Sequence, residues 1–209
     1  VPETARLPLV GRNVELKIVQ DCLNDAKSGK RALLGIAGDP GAGKTRLNEE
    51  IEKTARAAGL QFMFARCLPY ELNQPYVTLI NLLSGYFGIK PDSAEDEKKL
   101  LIGMKLKDLG LDLDQTLPYL GILCGLSFPE TKGLPPEALK KRIFATIKTL
   151  FSRIAVKPLL VQIDDFQWTD PTSIEFFDHL LPILVSAPAF FSFAYRSDYN
   201  FPWLANKNF

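Results

Sequence analysis

An apolar run from Arg31 to Ala37 delivers the chain directly into Gly38-Asp39-Pro40-Gly41-Ala42-Gly43-Lys44-Thr45, and helical character resumes at Lys44. A strand, a glycine-rich turn and a helix in that order leave few folds open. Glycines at 38, 41 and 43 permit backbone angles closed to other residues, so consecutive N–H groups can turn inward around phosphate oxygens. The helix starting at Lys44 adds the partial positive charge of its N-terminus. In such a loop Lys44 would reach the β- and γ-phosphates of a nucleotide and the Thr45 hydroxyl would ligate Mg²⁺. The candidate nucleotide-binding segment runs from Gly38 through Asp39, Pro40, Gly41, Ala42, Gly43, Lys44 and Thr45 to Arg46. The spacing GxxxxGK[ST] arises by chance in a chain this long on the order of once in a hundred sequences; the competing reading is an ordinary Gly-rich turn.

A second pattern supports the first. Leu159-Leu160-Val161-Gln162-Ile163 reads as an apolar strand that ends in two carboxylates, Asp164 and Asp165. Ligands of parallel sheets gather at the C-terminal ends of strands, so Asp164 is expected near the phosphate loop as a Mg²⁺ ligand, through water. Asp165 is the candidate to orient or deprotonate an attacking water. Alternatively, the pair is the polar edge of a strand, or Asp165 caps the following turn.

Along the chain, expected helices cover Asn13 to Ala26, Lys44 to Ala58, Tyr76 to Phe87, Ala94 to Leu109, Gln115 to Cys124 and Pro136 to Ala155. A further helix at about Thr172 to Val185 is expected to bend near Pro182. Strands are expected at Arg31 to Ala37, Leu60 to Arg66, Pro158 to Ile163 and Ala189 to Tyr195. Strands separated by helices argue for an α/β fold, a parallel sheet with helices on both faces. The stretch from about 67 to 157 is a helical insert between the second and third strands, and the 209 residues form one core domain.

Composition narrows the function classes. With 25 basic and 24 acidic residues the formal net charge is +1, which gives no electrostatic footprint for nucleic acid or an anionic membrane. Apolar stretches such as Pro188 to Tyr195 are far shorter than the ~20 residues of a membrane span. Cys22, Cys67 and Cys124 are widely spaced and His179 is the sole histidine, so neither a zinc site nor a disulfide framework is suggested. A reducing, cytoplasmic compartment is expected. The opening Val1-Pro2 suggests a piece of a larger multidomain protein.

Four segments in order, Leu9-Val10-Gly11-Arg12, GDPGAGKT at 38 to 45, IDDFQWTD at 163 to 170 and AYRSD at 194 to 198, together resemble a known group. It is the ATPase domain of the signal-transduction ATPases with numerous domains (the STAND class) within the AAA+ group. The similarity is closest to modules found beside adenylate or guanylate cyclase domains and in LuxR-type, MalT-like transcriptional activators. It implies ATP/ADP and Mg²⁺ as ligands, a strand order 5-1-4-3-2, and an attached effector, a cyclase or a helix-turn-helix domain. It gives Val10, Gly11 and Arg12 a place beside the adenine, where the residues alone read equally as a turn. It makes Arg196 a sensor of the γ-phosphate, against a surface pair with Asp198. Trp168 and Asp170 match the family's Trp-x-Asp pattern, Trp168 serving as a wall of the site or as packing. No role is carried to Arg66, and core packing explains Tyr76.

The resemblance also implies a further strand and a lid after residue 209. Without that strand the one bearing the phosphate loop would be an edge, so weak nucleotide affinity or pairing of that edge with another chain is expected, including nucleotide-dependent self-association. The leading expectation is a Mg-dependent ATPase that works as a nucleotide-controlled switch. Its competitors are a nucleotide-binding scaffold that does not turn over, a DNA-associated AAA+ protein of the initiator or clamp-loader type, and a small-molecule kinase.

Overall fold

The computed structural model describes residues 11–203. Four strands, β1 (Ala32–Ala37), β2 (Gln61–Arg66), β3 (Leu159–Asp164) and β4 (Ala189–Tyr195), form one sheet in the order β1-β4-β3-β2. All three pairings are parallel, and Ala32 stands opposite Phe190, Leu159 opposite Ala189, and Arg66 opposite Asp164. Every residue of β3 and β4 is buried, as suits central strands covered on both faces, whereas β1 and β2 mix buried with exposed positions. The parallel α/β sheet and its order agree with the expected 5-1-4-3-2 arrangement over the four strands described.

The pleat sends alternate side chains to opposite layers. Leu160, Phe190 and Ala194 face α1 (Asn13–Lys27) and α2 (Lys44–Ala57). Those helices bury Val19, Leu23 and Ala26, and Leu47, Ile51 and Ala55, spaced along one stripe of each. Val161, Ile163, Phe191 and Phe193 face the other layer. It contains α3 (Val77–Phe87), α4 (Glu95–Asp108), α5 (Leu113–Leu123), α6 (Pro136–Ile154) and α7 (Pro171–Leu180). Here the longest stripe is that of α6, where Ile143, Ile147, Leu150 and Ile154 are all buried.

Helices α3 to α6 coincide with the expected insert to within about two residues, within the ordinary spread of helix ends. One helix differs: α7 stops at Leu180 and residues 181–186 form turns, with no bent helix running on to Val185. Pro182 has no N–H to continue the ladder, and the turns that follow it still bury Leu181 and Leu184 while Ile183 and Val185 are exposed. Among the described residues no helix is long and apolar enough to cross a membrane.

Candidate functional site

The phosphate loop leaves β1 at Ala37 and enters α2 at Lys44. Gly41 and Gly43 take φ of 83° and 84°, the left-handed region, and a Cβ at Gly41 would meet nothing within 4 Å, so the backbone angle rather than crowding calls for glycine there. The Lys44 ammonium curls back over the loop, donating to the carbonyls of Gly38 at 2.8 Å and Asp39 at 3.1 Å. Tyr195 O at the end of β4 accepts from Gly38 N at 3.2 Å, and the Ser197 hydroxyl contacts the Asp39 carboxylate, so the strand beside β1 steadies the loop. Arg12 steadies it from the other side, donating to Ala42 O at 2.6 Å and to Glu15 Oε1 at 2.8 Å. Arg46 points away to an ion pair with Glu49 at 2.9 Å.

Helix α2 has no side-chain cap, and no acidic residue stands in its first turn, whereas that of α4 carries Glu95, Asp96 and Glu97. Its N-terminal N–H groups therefore suit an anion brought by a ligand. A cleft of about 200 Å³ lies between α1, β1 and α2, lined by Arg12, Ile18, Leu34 and Leu47 among others. Gly11, with φ of 79°, precedes Arg12 without lining the cleft, and Val10 lies outside the described residues.

Asp164 ends β3 and is 1% exposed. The hydroxyl of Thr45 donates to its Oδ2 at 3.3 Å, so the two residues expected to share a metal are in contact. Two partners were not expected. Asn48 Nδ2 donates to Oδ1 at 3.1 Å, and Arg66 donates to Oδ2 from Nε at 3.2 Å and from Nη2 at 3.1 Å. Asn48 lies one helical turn beyond Thr45, and Arg66 ends the strand beside β3; both signals were present in the sequence once the strand order was assumed. Among the described residues no three His, Cys, Asp or Glu gather to hold a metal. The donor set of one hydroxyl and one carboxylate fits Mg²⁺, which usually completes its shell with phosphate oxygens and water.

Asp165 adopts φ of 56°, uncommon for a residue with a side chain, and begins the 3-10 turn Phe166–Trp168. Its carboxylate makes no cap to that turn; Oδ1 accepts from Gln167 Nε2 at 3.1 Å. The other end of the same amide accepts the backbone N–H of Arg196 at 3.2 Å. Gln167 thus ties Asp165 to the end of β4, a link sequence reasoning missed. The Arg196 guanidinium carbon lies 5.4 Å from the Trp168 ring centroid, a cation–π arrangement.

Beneath this layer Asp170, fully buried, caps α7 through Ser173 N at 2.9 Å and also accepts from the N–H groups of Tyr76 at 2.9 Å and Thr78 at 3.2 Å. Cys67 continues the layer, its sulfur 3.2 Å from Thr169 Oγ1 and 3.5 Å from Thr78 Oγ1. Burial pushes its thiol up to about 11 despite those hydroxyls, so it is an inert packing group. Tyr76, half-buried, packs edge-on to Phe144 as expected of a packing residue, and His179, exposed, meets the same ring edge-on from the rim of the core.

Among known protein families, residues 8–191 match the one described as the AAA ATPase domain. An uncharacterized protein of Rhizobium meliloti (strain 1021) is 26% identical over 206 residues, which cover 96% of this chain and 20% of that protein. The crystal structure of Cdc6p from Pyrobaculum aerophilum has a TM-score of 0.50 and 12% identity, over 93% of this chain and 41% of that one, a likeness of fold. The chain thus spans about a fifth of the length of the curated relative it matches.

Proposed function

The chain belongs to the AAA ATPase domain family, and from that premise we propose that it is the Mg-dependent, ATP-operated switch module of a larger signalling or regulatory protein. The observation that carries this reading is the meeting of Thr45 and Asp164 at 3.3 Å beside the uncapped N-terminus of α2. A triphosphate there finds loop N–H groups, an ammonium and two oxygen ligands on one side of the sheet edge. Lys44 leaves the carbonyls of Gly38 and Asp39 for the β- and γ-phosphates, and Arg12 with the apolar cleft beside it receives the base. Mg²⁺ held by Thr45 and Asp164 supplies charge neutralisation at the terminal phosphates.

Asp165 orients the attacking water, with Gln167 fixing its carboxylate, and Arg196 turns from Trp168 to the γ-phosphate. Because Gln167 joins the water-side acid to the strand that bears the sensor arginine, a change in nucleotide reaches both ends of one hydrogen-bonded chain. The resemblance to STAND-class modules of cyclase-associated and LuxR- or MalT-like regulators supplies the effector half of the proposal. The near-neutral charge favours this reading over direct DNA contact.

A non-hydrolysing scaffold is the second reading, and one observation favours it: Gln167 occupies one of the two carboxylate oxygens of Asp165, which leaves Oδ2 as the one acceptor for a water. Calorimetric titration with MgATP and MgADP, against Lys44→Ala, tests the site; micromolar binding lost in the variant is expected, and equal binding by both proteins would sink it. Phosphate release compared with Asp165→Asn then separates switch from scaffold. Turnover lost in the variant supports the switch, and absence of turnover in the parent supports the scaffold.

A further inference from the structure

Asp164 Oδ2 carries more than one partner. It takes both Arg66 donors, at 3.2 Å and 3.1 Å, and it is the oxygen turned toward the Thr45 hydroxyl. The other oxygen, Oδ1, is engaged by Asn48, whose own backbone carbonyl is held by Gln162 Nε2 at 3.1 Å. Asn48 therefore fixes which oxygen faces Thr45. A divalent cation between Thr45 and Asp164, bound directly or through water, draws on the same Oδ2 as the guanidinium. Two cations on one carboxylate oxygen repel each other strongly in a partly dry site.

The two partners of the ion pair differ in burial. The Asp164 side chain is 2% exposed, that of Arg66 48%. A buried carboxylate without a counter-charge is costly, whereas a half-exposed guanidinium on a flexible stem moves into water at little cost. Arg66 ends β2, which is paired on one side only among the described residues, so its side chain has solvent to move into. Phe64, two residues earlier on that strand, has its ring 6.0 Å from the guanidinium carbon, within the range of a cation–π contact.

We propose that Arg66 is a tethered counter-cation of Asp164 that exchanges with Mg²⁺: it holds the carboxylate in place when metal is absent, and it swings out as the metal-nucleotide complex enters. This rests on the ATPase reading of the same site and adds a consequence to it. The metal requirement of nucleotide binding is set by a residue that touches neither phosphate nor base, and an outward-turned Arg66 changes the charge at the edge of β2 with the state of the site.

The test is calorimetric ATP binding across a MgCl₂ titration, with EDTA as the zero point, for the parent, Arg66→Gln and Arg66→Lys, with Lys44→Ala as control. Thermal unfolding in EDTA is run on the same four proteins. Removing the competitor should lower the Mg²⁺ midpoint for Arg66→Gln by roughly two- to fivefold, the upper part of the range for an ion pair with an exposed partner. Arg66→Lys should fall between the two, and Arg66→Gln should unfold at lower temperature than the parent in EDTA. An unchanged midpoint would overturn the exchange, and a raised one would make Arg66 a nucleotide ligand instead. Failure of the parent to bind ATP at any Mg²⁺ concentration, or full binding by Lys44→Ala, would overturn the ATPase reading itself.

Discussion

Asp170 holds the backbone N–H of Tyr76 at 2.9 Å, joining the turn after β3 to the entry of α3 across 94 residues of sequence. The same carboxylate takes Thr78 N and Ser173 N, so it closes the first turns of two helices at once. Tyr76 tolerates φ of 68° under this constraint. Replacing Asp170 by Ala leaves those N–H groups without a protein partner, and a loss of about 3 kcal/mol or more in urea unfolding is expected. A loss below about 1 kcal/mol would mean that water replaces the carboxylate.

Phe166 is fully buried, while its neighbours Asp165 and Gln167 are partly exposed. Its ring lies 5.1 Å from Phe193, 5.4 Å from Phe201 and 5.5 Å from Trp203. Phe166→Ala should cost about 3–5 kcal/mol of stability, and Phe166→Leu clearly less. Equal losses would show that ring packing is not what holds the turn.

Trp168 offers an optical readout, since Arg196 lies over its ring. In a Trp203→Phe background, MgATP should shift or quench Trp168 emission more than MgADP does, and Arg196→Ala should remove the difference. Identical spectra with both nucleotides would count against Arg196 as the residue that tells them apart.

Cys67 supplies a pH-dependent test. Its thiol, pushed up to about 11 by burial from the ordinary 9.0, stays neutral in the fold while the unfolded chain ionises above pH 9. The stability it contributes is complete below pH 9 and is lost as the pH rises toward about 11. The native protein should therefore resist alkylation at Cys67 at pH 8, as read by peptide mass mapping, and react there readily in urea. Rapid labelling of native Cys67 would show that the layer under the site opens.

Much of this architecture was readable because the central strands are continuous apolar runs and the helices bury single stripes. Ala189 to Tyr195 was located to the residue for that reason. The contact of Thr45 with Asp164 accords with the rule that strand ends gather ligands. Arg66 was harder to assign, because an arginine at the end of a strand reads as a solvated terminus until the carboxylate across from it in register is known to be buried. Gln167 and Asp170 act on partners that the turn after β3 reaches only in three dimensions, Arg196 on β4's exit and Tyr76 at the entry of α3, and no periodic pattern encodes such a meeting. Near Pro182 the chain leaves α7 outright instead of bending it, because propensity marks a break without saying whether a neighbour will support the helix beyond it.

The strand order has a consequence for the chain during synthesis. Within the described sheet β1 is paired with β4 alone, Ala32 to Phe190 and Ala37 to Tyr195, and the loop's first residue bonds to Tyr195 O. A ribosome therefore completes the whole nucleotide-binding segment long before the strand that braces it exists. Contacts this distant in sequence form late. Affinity for nucleotide should appear abruptly as β4 emerges, which lets bound nucleotide serve as a seal on a finished sheet and leaves truncated chains without its protection.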